Sequence, residues 1–188
     1  DGGLRLCVDY RSLNQQTVKD RTPLVAHSEI RHRVQGKSFI SKIDIRDAFH
    51  SIRIKEEDRH KTAFKTEFGL FEYTVCPFGL SNSPATFIKM MNRIFAGMEG
   101  CVSHYVDDIL IHSNTFEEHI RDIEEVFKRL RDNVLNIKLS KCDFLGKEVT
   151  FCGLVLSTDG IRVGEPEKEA MCEYPQISSY KDISKFMG

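Results

Sequence analysis

Two segments of the chain repeat their apolar residues at the spacing of an amphipathic helix. In residues 83–98 the apolar positions follow Ser83, a suitable N-cap, and Pro84, which suits the first helical position. The second segment begins at Thr115, which together with Glu118 has the spacing of a capping box. Both patterns predict helices that pack one face against a core. The repeating positions are Phe87, Met91, Ile94, Phe95 and Met98 in the first segment, and Phe116, Ile120, Ile123, Phe127, Leu130 and Val134 in the second.

Shorter runs of apolar and β-branched residues predict strands. The predicted strands are residues 4–10, 38–45, 101–106, 109–113, 149–156 and 161–163. Residues 62–66 and 70–75 flank Phe68-Gly69 and predict a hairpin, because glycine readily adopts the positive φ of a tight turn. The C-terminal tail turns polar and predicts short helices. This order of elements indicates one α+β domain with a single core, in which helices cover one face of a sheet.

Composition narrows the class of protein. The chain has 188 residues, 40% of them apolar, and no apolar stretch approaches the roughly 20 residues of a membrane-spanning helix, so we expect no membrane association. The net charge is −1, but residues 1–65 carry 14 Lys and Arg against 9 Asp and Glu, whereas residues 66–188 carry 13 against 19. The N-terminal third is therefore the candidate surface for a polyanion, although such basic segments are more often plain solvated faces.

The cysteines indicate the redox compartment of the protein, and the start of the chain indicates whether it belongs to a longer polypeptide. The six cysteines are spaced singly, without a C-x-x-C pair, so neither a zinc ribbon nor a disulfide framework is indicated and a reducing compartment fits best. The sequence opens on "DGGLRLCVDY" without a signal segment, and we expect it to be a segment of a longer polypeptide. The cysteines are Cys7, Cys76, Cys101, Cys142, Cys152 and Cys172.

Two adjacent carboxylates, Asp107 and Asp108, interrupt the apolar run of residues 104–113. The simplest explanation is structural: both lie in the tight connection of a hairpin, where aspartate is common and reaches solvent. The alternative is a metal site, because Asp44 ends a predicted strand that could lie beside this hairpin. Carboxylates that converge repel one another unless a cation neutralises them, and Mg²⁺ suits oxygen ligands shared with phosphate. Such a site would support phosphoryl transfer, as in a polymerase.

Six blocks follow one another along the chain: "LRLCVDYRSLNQQT", "FISKIDIRDAFHSIRI", "RHKTAFKTEFGLFEYTVCPFGLSNSPATF", "YVDDILIHS", "LSKCDF" and "VTFCGLVLSTDGI". In this order, and with "SKFMG" at the end, they resemble the reverse transcriptase of gypsy-type LTR retrotransposons, which is related to that of retroviruses. The resemblance implies a right-hand polymerase fold, with an antiparallel palm sheet backed by helices and partial fingers. It assigns residues 1–37 and 50–80 to fingers, 38–49 and 81–155 to palm, and 156–188 to the start of the thumb or connection.

The resemblance also implies a catalytic centre. Asp44, Asp107 and Asp108 match the catalytic triad of the family. Asp44 and Asp107 would bind two Mg²⁺ ions with help from the backbone carbonyl of Ile45, while Asp108 would support this metal site; Mn²⁺ is an alternative ion.

Further roles are implied where the motifs match. The implied nucleotide-binding residues are Arg5 beside the triphosphate, Asp47 and Ala48 around the sugar and phosphates, Phe49 as the steric gate against a 2′-hydroxyl, and Phe78. The implied template and primer contacts are Arg11, Asn14, Tyr105, Val106, Phe151, Cys152 and Gly153, the last three on a primer-grip hairpin. For Phe151, packing in the core is as good an explanation as contact with nucleic acid.

Some features depart from the family pattern. The chain has "RTPLVAH", "DAFHSI" and "FCGL" where the family usually has "YPLP", "GYHQI" and "FLGH", and it lacks the upstream fingers segment and a complete connection or RNase H domain.

One hypothesis is therefore an RNA-directed DNA polymerase domain of a Pol polyprotein, and a second is a decayed or co-opted copy that binds nucleic acid or a protein without catalysis. A third, a palm-fold nucleotidyl cyclase or a phosphodiesterase, would not need Arg11 and Asn14.

The first hypothesis implies particular binding partners and a cellular location. The expected partners are an RNA or DNA template with its primer, deoxynucleoside triphosphates, and the protease, RNase H and integrase domains of the polyprotein. The expected location is cytoplasmic, in the virus-like particle of the element, with the nucleus as an alternative.

Overall fold

The computed structural model describes residues 6–23, 25–157, 160–175 and 179–187. The α-helices are α1 (Arg11–Gln16), α2 (His27–Val34), α3 (Ser83–Ile94), α4 (Phe116–Asp132), α5 (Glu165–Cys172) and α6 (Tyr180–Met187). The strands are β1 (Phe39–Asp44), β2 (Phe64–Thr66), β3 (Gly69–Phe71), β4 (Val102–Tyr105), β5 (Asp108–Ser113), β6 (Glu148–Phe151), β7 (Leu154–Ser157) and β8 (Gly160–Val163). Short 3₁₀ helices span Ala48–Ser51, Glu56–Thr62 and Leu139–Lys141. None of the described helices is long and apolar enough to cross a membrane.

The central sheet is antiparallel and has the strand order β1-β5-β4. Asp108, the first residue of β5, pairs with Asp44 on one side and with Tyr105 on the other. The predicted hairpin and its neighbouring strand are therefore present. The expectation that both aspartates lie in the connection is wrong, because only Val106 and Asp107 form the turn and Asp108 already belongs to the ladder.

Alternate residues of this sheet point to opposite faces, as the strand geometry requires. One face packs against α3 and α4, and the other packs against α2 and the second sheet, β6-β7-β8. The sequence predicted helices on one face of the sheet and a single core. In the structure both faces are covered, and the sheet separates two apolar clusters. The first cluster includes Ile43, Ile109, Ile111, Phe87, Met91, Val126 and Leu130, and the second includes Ile40, Leu110, Ile30, Val34, Val149, Phe151 and Leu156.

Helix α4 begins with the predicted capping box. The Thr115 side chain accepts a hydrogen bond from the backbone N–H of Glu118, and the Glu118 carboxylate accepts one from the backbone N–H of Thr115, both at 3.2 Å. The apolar stripe ends earlier than predicted, because Val134 lies beyond the end of the helix and is 80% exposed. Among the apolar side chains of this helix, Val126 and Leu130 are fully buried, whereas the predicted core positions Phe116 and Ile120 are 46% and 36% exposed.

Helix α3 begins one residue earlier than the sequence predicted. Asn82 is the N-cap, so Ser83 is the first helical residue and Pro84 the second. The hydroxyl of Ser83 does not cap the helix; it lies 2.8 Å from the buried thiol of Cys76. The Ser83 hydroxyl therefore contacts Cys76 and is not used to cap the helix.

Two predicted strands are wrong in part. The described residues of the segment 4–10 form no strand, and Tyr10 instead buries its ring and donates a hydrogen bond to the carbonyl of Thr62 at 3.1 Å. Residues 149–156 form two strands, β6 and β7, because Cys152 and Gly153 both adopt positive φ, 49° and 74°, and close a tight hairpin turn. The β2–β3 hairpin forms as predicted, although both strands are shorter than residues 62–66 and 70–75, and the short C-terminal helices match their prediction.

Candidate active site

The three aspartates converge at one end of the central sheet. Asp44 ends β1, Asp108 starts β5 directly opposite, and Asp107 lies in the adjoining turn. The turn is tied to β1 because the backbone N–H of Ile45 donates to the carbonyl of Asp107 at 2.9 Å. Asp44 is buried, whereas Asp107 is exposed. The strand register therefore brings together the residues that the sequence analysis singled out.

Two lysines that the sequence analysis missed neutralise two of these carboxylates. Lys42 Nζ lies 3.1 Å from Asp108 Oδ2, and Lys141 Nζ lies 3.6 Å from Asp44 Oδ2. Burial raises the pKa of Asp108, and the neighbouring Lys42 opposes that rise. The signal for Lys42 was its position two residues before Asp44, which places it on the same face of β1.

An open pocket of about 630 Å³ lies beside the aspartates. Most predicted metal and nucleotide residues border it, and so do cationic side chains that were not predicted. Carboxylates and cationic groups around one pocket suit a metal ion that is bound together with phosphate. The predicted lining residues are Asp44, Ile45, Asp47, Ala48, Phe49, Phe78, Val106 and Asp107, and the additional ones are Arg46, Ile137, Lys138, Leu139 and Lys141.

The carboxylates at this pocket can be compared with the ligands that Mg²⁺ prefers. Within the described ranges, no three His, Cys, Asp or Glu side chains are arranged to hold a metal ion. Asp108 faces Lys42, whereas Asp44 and Asp107 both border the pocket. Mg²⁺ commonly binds through one or two carboxylates plus substrate phosphates and water, so this pair suits it. The supporting role of Asp108 at this metal site stays a prediction.

Aromatic rings form one wall of the pocket. Phe49 lies edge-on to Phe78, with ring centroids 5.9 Å apart, and edge-on to Phe87 at 6.1 Å. The ring of His50 lies 5.1 Å from that of Phe78. Phe49 therefore packs against the first apolar cluster and also borders the pocket.

Backbone strain occurs around the aspartates, as it also does at Val134 and Leu145 elsewhere in the chain. Asp47, Val106 and Cys152 adopt positive φ of 50°, 52° and 49°. This conformation is unfavourable for side chains that carry a Cβ, and most of all for a β-branched valine. The two-residue turn at Val106 requires it, because the turn must reverse the chain within the tight β4–β5 hairpin.

The predicted fingers residues have partners within the chain. Arg5 lies outside the described residues. Arg11 is exposed and pairs with Asp9 at 2.6 Å, and the hydrogen bonds from Arg11 lower the pKa of Asp9 to about 2. Asn14 donates to the carbonyl of Gly79 at 2.8 Å and accepts from the backbone N–H of Ser81 at 2.9 Å. Asn14 thus holds the loop that carries Phe78, a role that the sequence did not reveal.

The predicted primer-grip turn lies next to the aspartates. Burial raises the pKa of Cys152 to about 12, and the negative charge of Asp108 adds to the effect. A Cβ at Gly153 would meet Oε1 of Glu167, from α5, at 3.0 Å. Phe151 is only 1% exposed within the second apolar cluster, so core packing is the correct alternative for its side chain. Tyr105 packs against the same cluster.

The chain is similar to polymerases of mobile elements and retroviruses. The family model described as "Reverse transcriptase (RNA-dependent DNA polymerase)" matches residues 1–156. The chain is 39% identical over 186 residues to the retrovirus-related Pol polyprotein from transposon 297 of Drosophila melanogaster, which covers 98% of this chain and 18% of that protein. It is 34% identical over 189 residues to the transposon Tf2-3 polyprotein of Schizosaccharomyces pombe, covering all of this chain and 14% of the relative. The chain thus spans less than a fifth of these relatives.

Two solved structures have the same fold. The foamy viral protease-reverse transcriptase dRH in complex with double-stranded DNA superposes with a TM-score of 0.87 at 28% identity, covering all of this chain and 33% of that one. The foamy viral protease-reverse transcriptase in complex with an RNA/DNA hybrid gives a TM-score of 0.82 at 27% identity, covering 98% of this chain and 25% of that one.

Proposed function

This chain belongs to the reverse transcriptase family, and from that premise we propose that it forms the nucleotide-adding centre of an RNA-directed DNA polymerase within a retrotransposon Pol polyprotein. The observation that carries the proposal is the pocket of about 630 Å³, which Asp44 and Asp107 border together with the cationic side chains of Arg46, Lys138 and Lys141. Metal and triphosphate together need both kinds of group.

Asp44 and Asp107 would hold Mg²⁺, with the backbone carbonyl of Ile45 as a further oxygen ligand. When bound, two such ions supply Lewis acidity at the primer 3′-hydroxyl and at the attacked phosphate. The chain's own contribution is to place the two carboxylates at one end of a rigid sheet, because a hydrogen bond from Ile45 fixes the turn that carries Asp107. Asp108 would support this arrangement through its ion pair.

The other pocket residues would bind the deoxynucleoside triphosphate. Lys138 and Lys141 offer positive charge to its phosphates, and Asp47 and Ala48 border the space for its sugar. Phe49 is held between Phe78 and Phe87, so its ring can exclude a 2′-hydroxyl without moving. A rigid wall is what makes a steric gate selective.

The template and primer would follow the surface between the fingers and the second sheet. Arg11, exposed on α1, and the turn residues Val106, Cys152 and Gly153 are the proposed contacts, with Tyr105 supporting the primer end. The foamy viral relatives bind double-stranded DNA and an RNA/DNA hybrid, which supports a duplex ligand of this kind. In the polyprotein, the protease, RNase H and integrase domains would be its covalent partners, and a virus-like particle in the cytoplasm its location.

The same resemblance supports the proposed division of the chain. Residues 1–37 and 50–80 would form fingers, residues 38–49 and 81–155 the palm, and residues 156–188 the start of the thumb or connection. The palm under this division contains the whole β1-β5-β4 sheet and both helices of its first apolar cluster.

A second candidate is a copy that binds nucleic acid without catalysis. The observation in its favour is that Asp44 and Asp108 are each already paired with a lysine of the chain. A lysine beside each of these carboxylates offsets its negative charge, so less of that charge is left for a metal ion to neutralise. This candidate predicts binding of a primer–template without nucleotide addition.

Primer extension on an RNA template separates these two functions. The chain should extend a DNA primer with Mg²⁺, and Asp107→Asn should reduce the rate by at least about a hundredfold, because the variant removes a proposed ligand charge. Asp132→Asn, an exposed carboxylate at the end of α4, is the matched control and should extend normally. Binding of the primer–template by a folded chain that adds no nucleotide with Mg²⁺ or Mn²⁺ would favour the second candidate.

A further inference from the structure

Lys42 is the residue that contacts Asp108. It lies two residues before Asp44 on the same face of β1, and it pairs in register with Leu110, two residues after Asp108. This diagonal placement brings Lys42 Nζ to 3.1 Å from Asp108 Oδ2. The two side chains are only 17% and 21% exposed, so water screens their attraction poorly.

The backbone of Lys42 is fixed as firmly as its side chain. Its N–H donates to the carbonyl of Asp143 at 2.7 Å, and its own carbonyl accepts from the N–H of Asp143 at 2.9 Å. By contrast, Lys141 is 57% exposed and lies 3.6 Å from Asp44. Lys42 is therefore a preorganised partner of one aspartate, and Lys141 is a looser partner of another.

We propose that Lys42 is a positioning residue that holds Asp108 out of the metal-ligand set and so leaves Asp44 and Asp107 as the two carboxylate ligands. The inference rests on the proposed function, because it assigns a task at the same site. Three unpaired carboxylates would offer a metal ion several competing sets of ligands. Pairing Asp108 with a fixed ammonium group leaves one set, since breaking a largely buried ion pair leaves a charge uncompensated.

The first test measures metal binding without catalysis. Mn²⁺ is titrated into the chain, and free Mn²⁺ is followed by electron paramagnetic resonance. Lys42→Met should bind Mn²⁺ about tenfold more tightly, because it releases the Asp108 carboxylate to the ion and removes a nearby positive charge. In an Asp108→Asn background, the same Lys42→Met change should strengthen binding by about twofold or less, because only the direct repulsion is lost.

The second test measures primer extension at saturating metal. Lys42→Met should lower the maximal rate by about tenfold or more, since a misplaced ion no longer aligns the reacting groups. Lys42→Arg keeps the positive charge and should restore most of that rate. Lys128→Gln, which removes an exposed ion pair with Glu125 on α4, is the control and should behave like the unaltered chain.

These measurements can overturn the inference. If Lys42→Met strengthens Mn²⁺ binding equally with and without Asp108, or leaves binding unchanged, then Lys42 does not act through Asp108. Lys42→Gln replaces Lys42→Met in both tests if the methionine variant does not fold by circular dichroism.

Failure of the proposed function would look different. If the unaltered chain extends no primer while Mn²⁺ binding still responds to Lys42 and Asp108 together, the polymerase assignment fails and the positioning role stands. If the unaltered chain extends primers and Lys42→Met extends them equally well, the positioning role alone fails.

Discussion

Two buried histidines make the stability of the fold depend on pH. His112 is fully buried in β5, and His104 in β4 is 9% exposed. Burial lowers the pKa of each ring from 6.5 to about 4. In the unfolded chain the rings take up protons below about pH 6.5, whereas in the fold they stay neutral until about pH 4. Their contribution is therefore complete above pH 6.5 and is lost as the pH falls toward 4.

The size of the loss follows from these pKa values. At pH 5 each ring should reduce the free energy of unfolding by about 2 kcal/mol relative to pH 7.5, and the two rings together by about 4 kcal/mol. That is a large part of the 5–15 kcal/mol, roughly, that stabilises a typical domain. Burial also lowers the pKa of the enclosed His119 ring, which acts in the same direction.

Urea denaturation followed by circular dichroism at pH 7.5 and pH 5.0 measures this loss. Between the two pH values His112→Gln should lose about 2 kcal/mol less stability than the unaltered chain does, because one neutral buried ring is gone. His32→Gln, which changes an exposed histidine of α2, is the control for the loss of a histidine as such. A drop of less than about 1 kcal/mol in the unaltered chain, or an equal drop in His112→Gln, would refute the reasoning.

Two other substitutions test the pocket wall and a helix cap. Phe49→Val should raise the incorporation of ribonucleotides relative to deoxyribonucleotides by about tenfold or more in primer extension, because it opens the wall held by Phe78 and Phe87. Phe127→Val, a half-buried ring of α4, is its control, and unchanged discrimination in Phe49→Val would exclude the gate. Thr115→Ala should lower the free energy of unfolding by about 1 kcal/mol through loss of the capping box, and no measurable change in urea denaturation would contradict that role.

The sequence was most informative where local pattern and tertiary structure agree. The capping box at Thr115 forms as predicted because its hydrogen bonds join residues three positions apart. That Asp44 lies beside the hairpin of residues 101–113 could also be anticipated, because Asp44 ends a predicted strand that could pair with that hairpin. The capping box depends on short-range geometry, which the sequence encodes directly.

The missed features depend on contacts between distant segments. Lys141 reaches Asp44 only because the segment after α4 returns alongside β1, and Asn14 holds the loop at Gly79 across 65 positions of the chain. The segment 4–10 has the composition of a strand, but its described residues find no strand to pair with. Asp108 was expected in the turn because aspartate favours turns, and the ladder with β1 overrode that preference.

The most direct test of the proposed site is a crystal structure of the chain with Mn²⁺, a primer–template and a non-reactive deoxynucleotide analogue, in which anomalous scattering locates the ions. We expect Mn²⁺ peaks at bonding distance from carboxylate oxygens of both Asp44 and Asp107, with Asp108 still paired to Lys42. Mn²⁺ bound elsewhere, or the analogue bound outside the pocket bordered by Asp44, Phe49 and Asp107, would contradict the assignment of this pocket as the site of nucleotide addition.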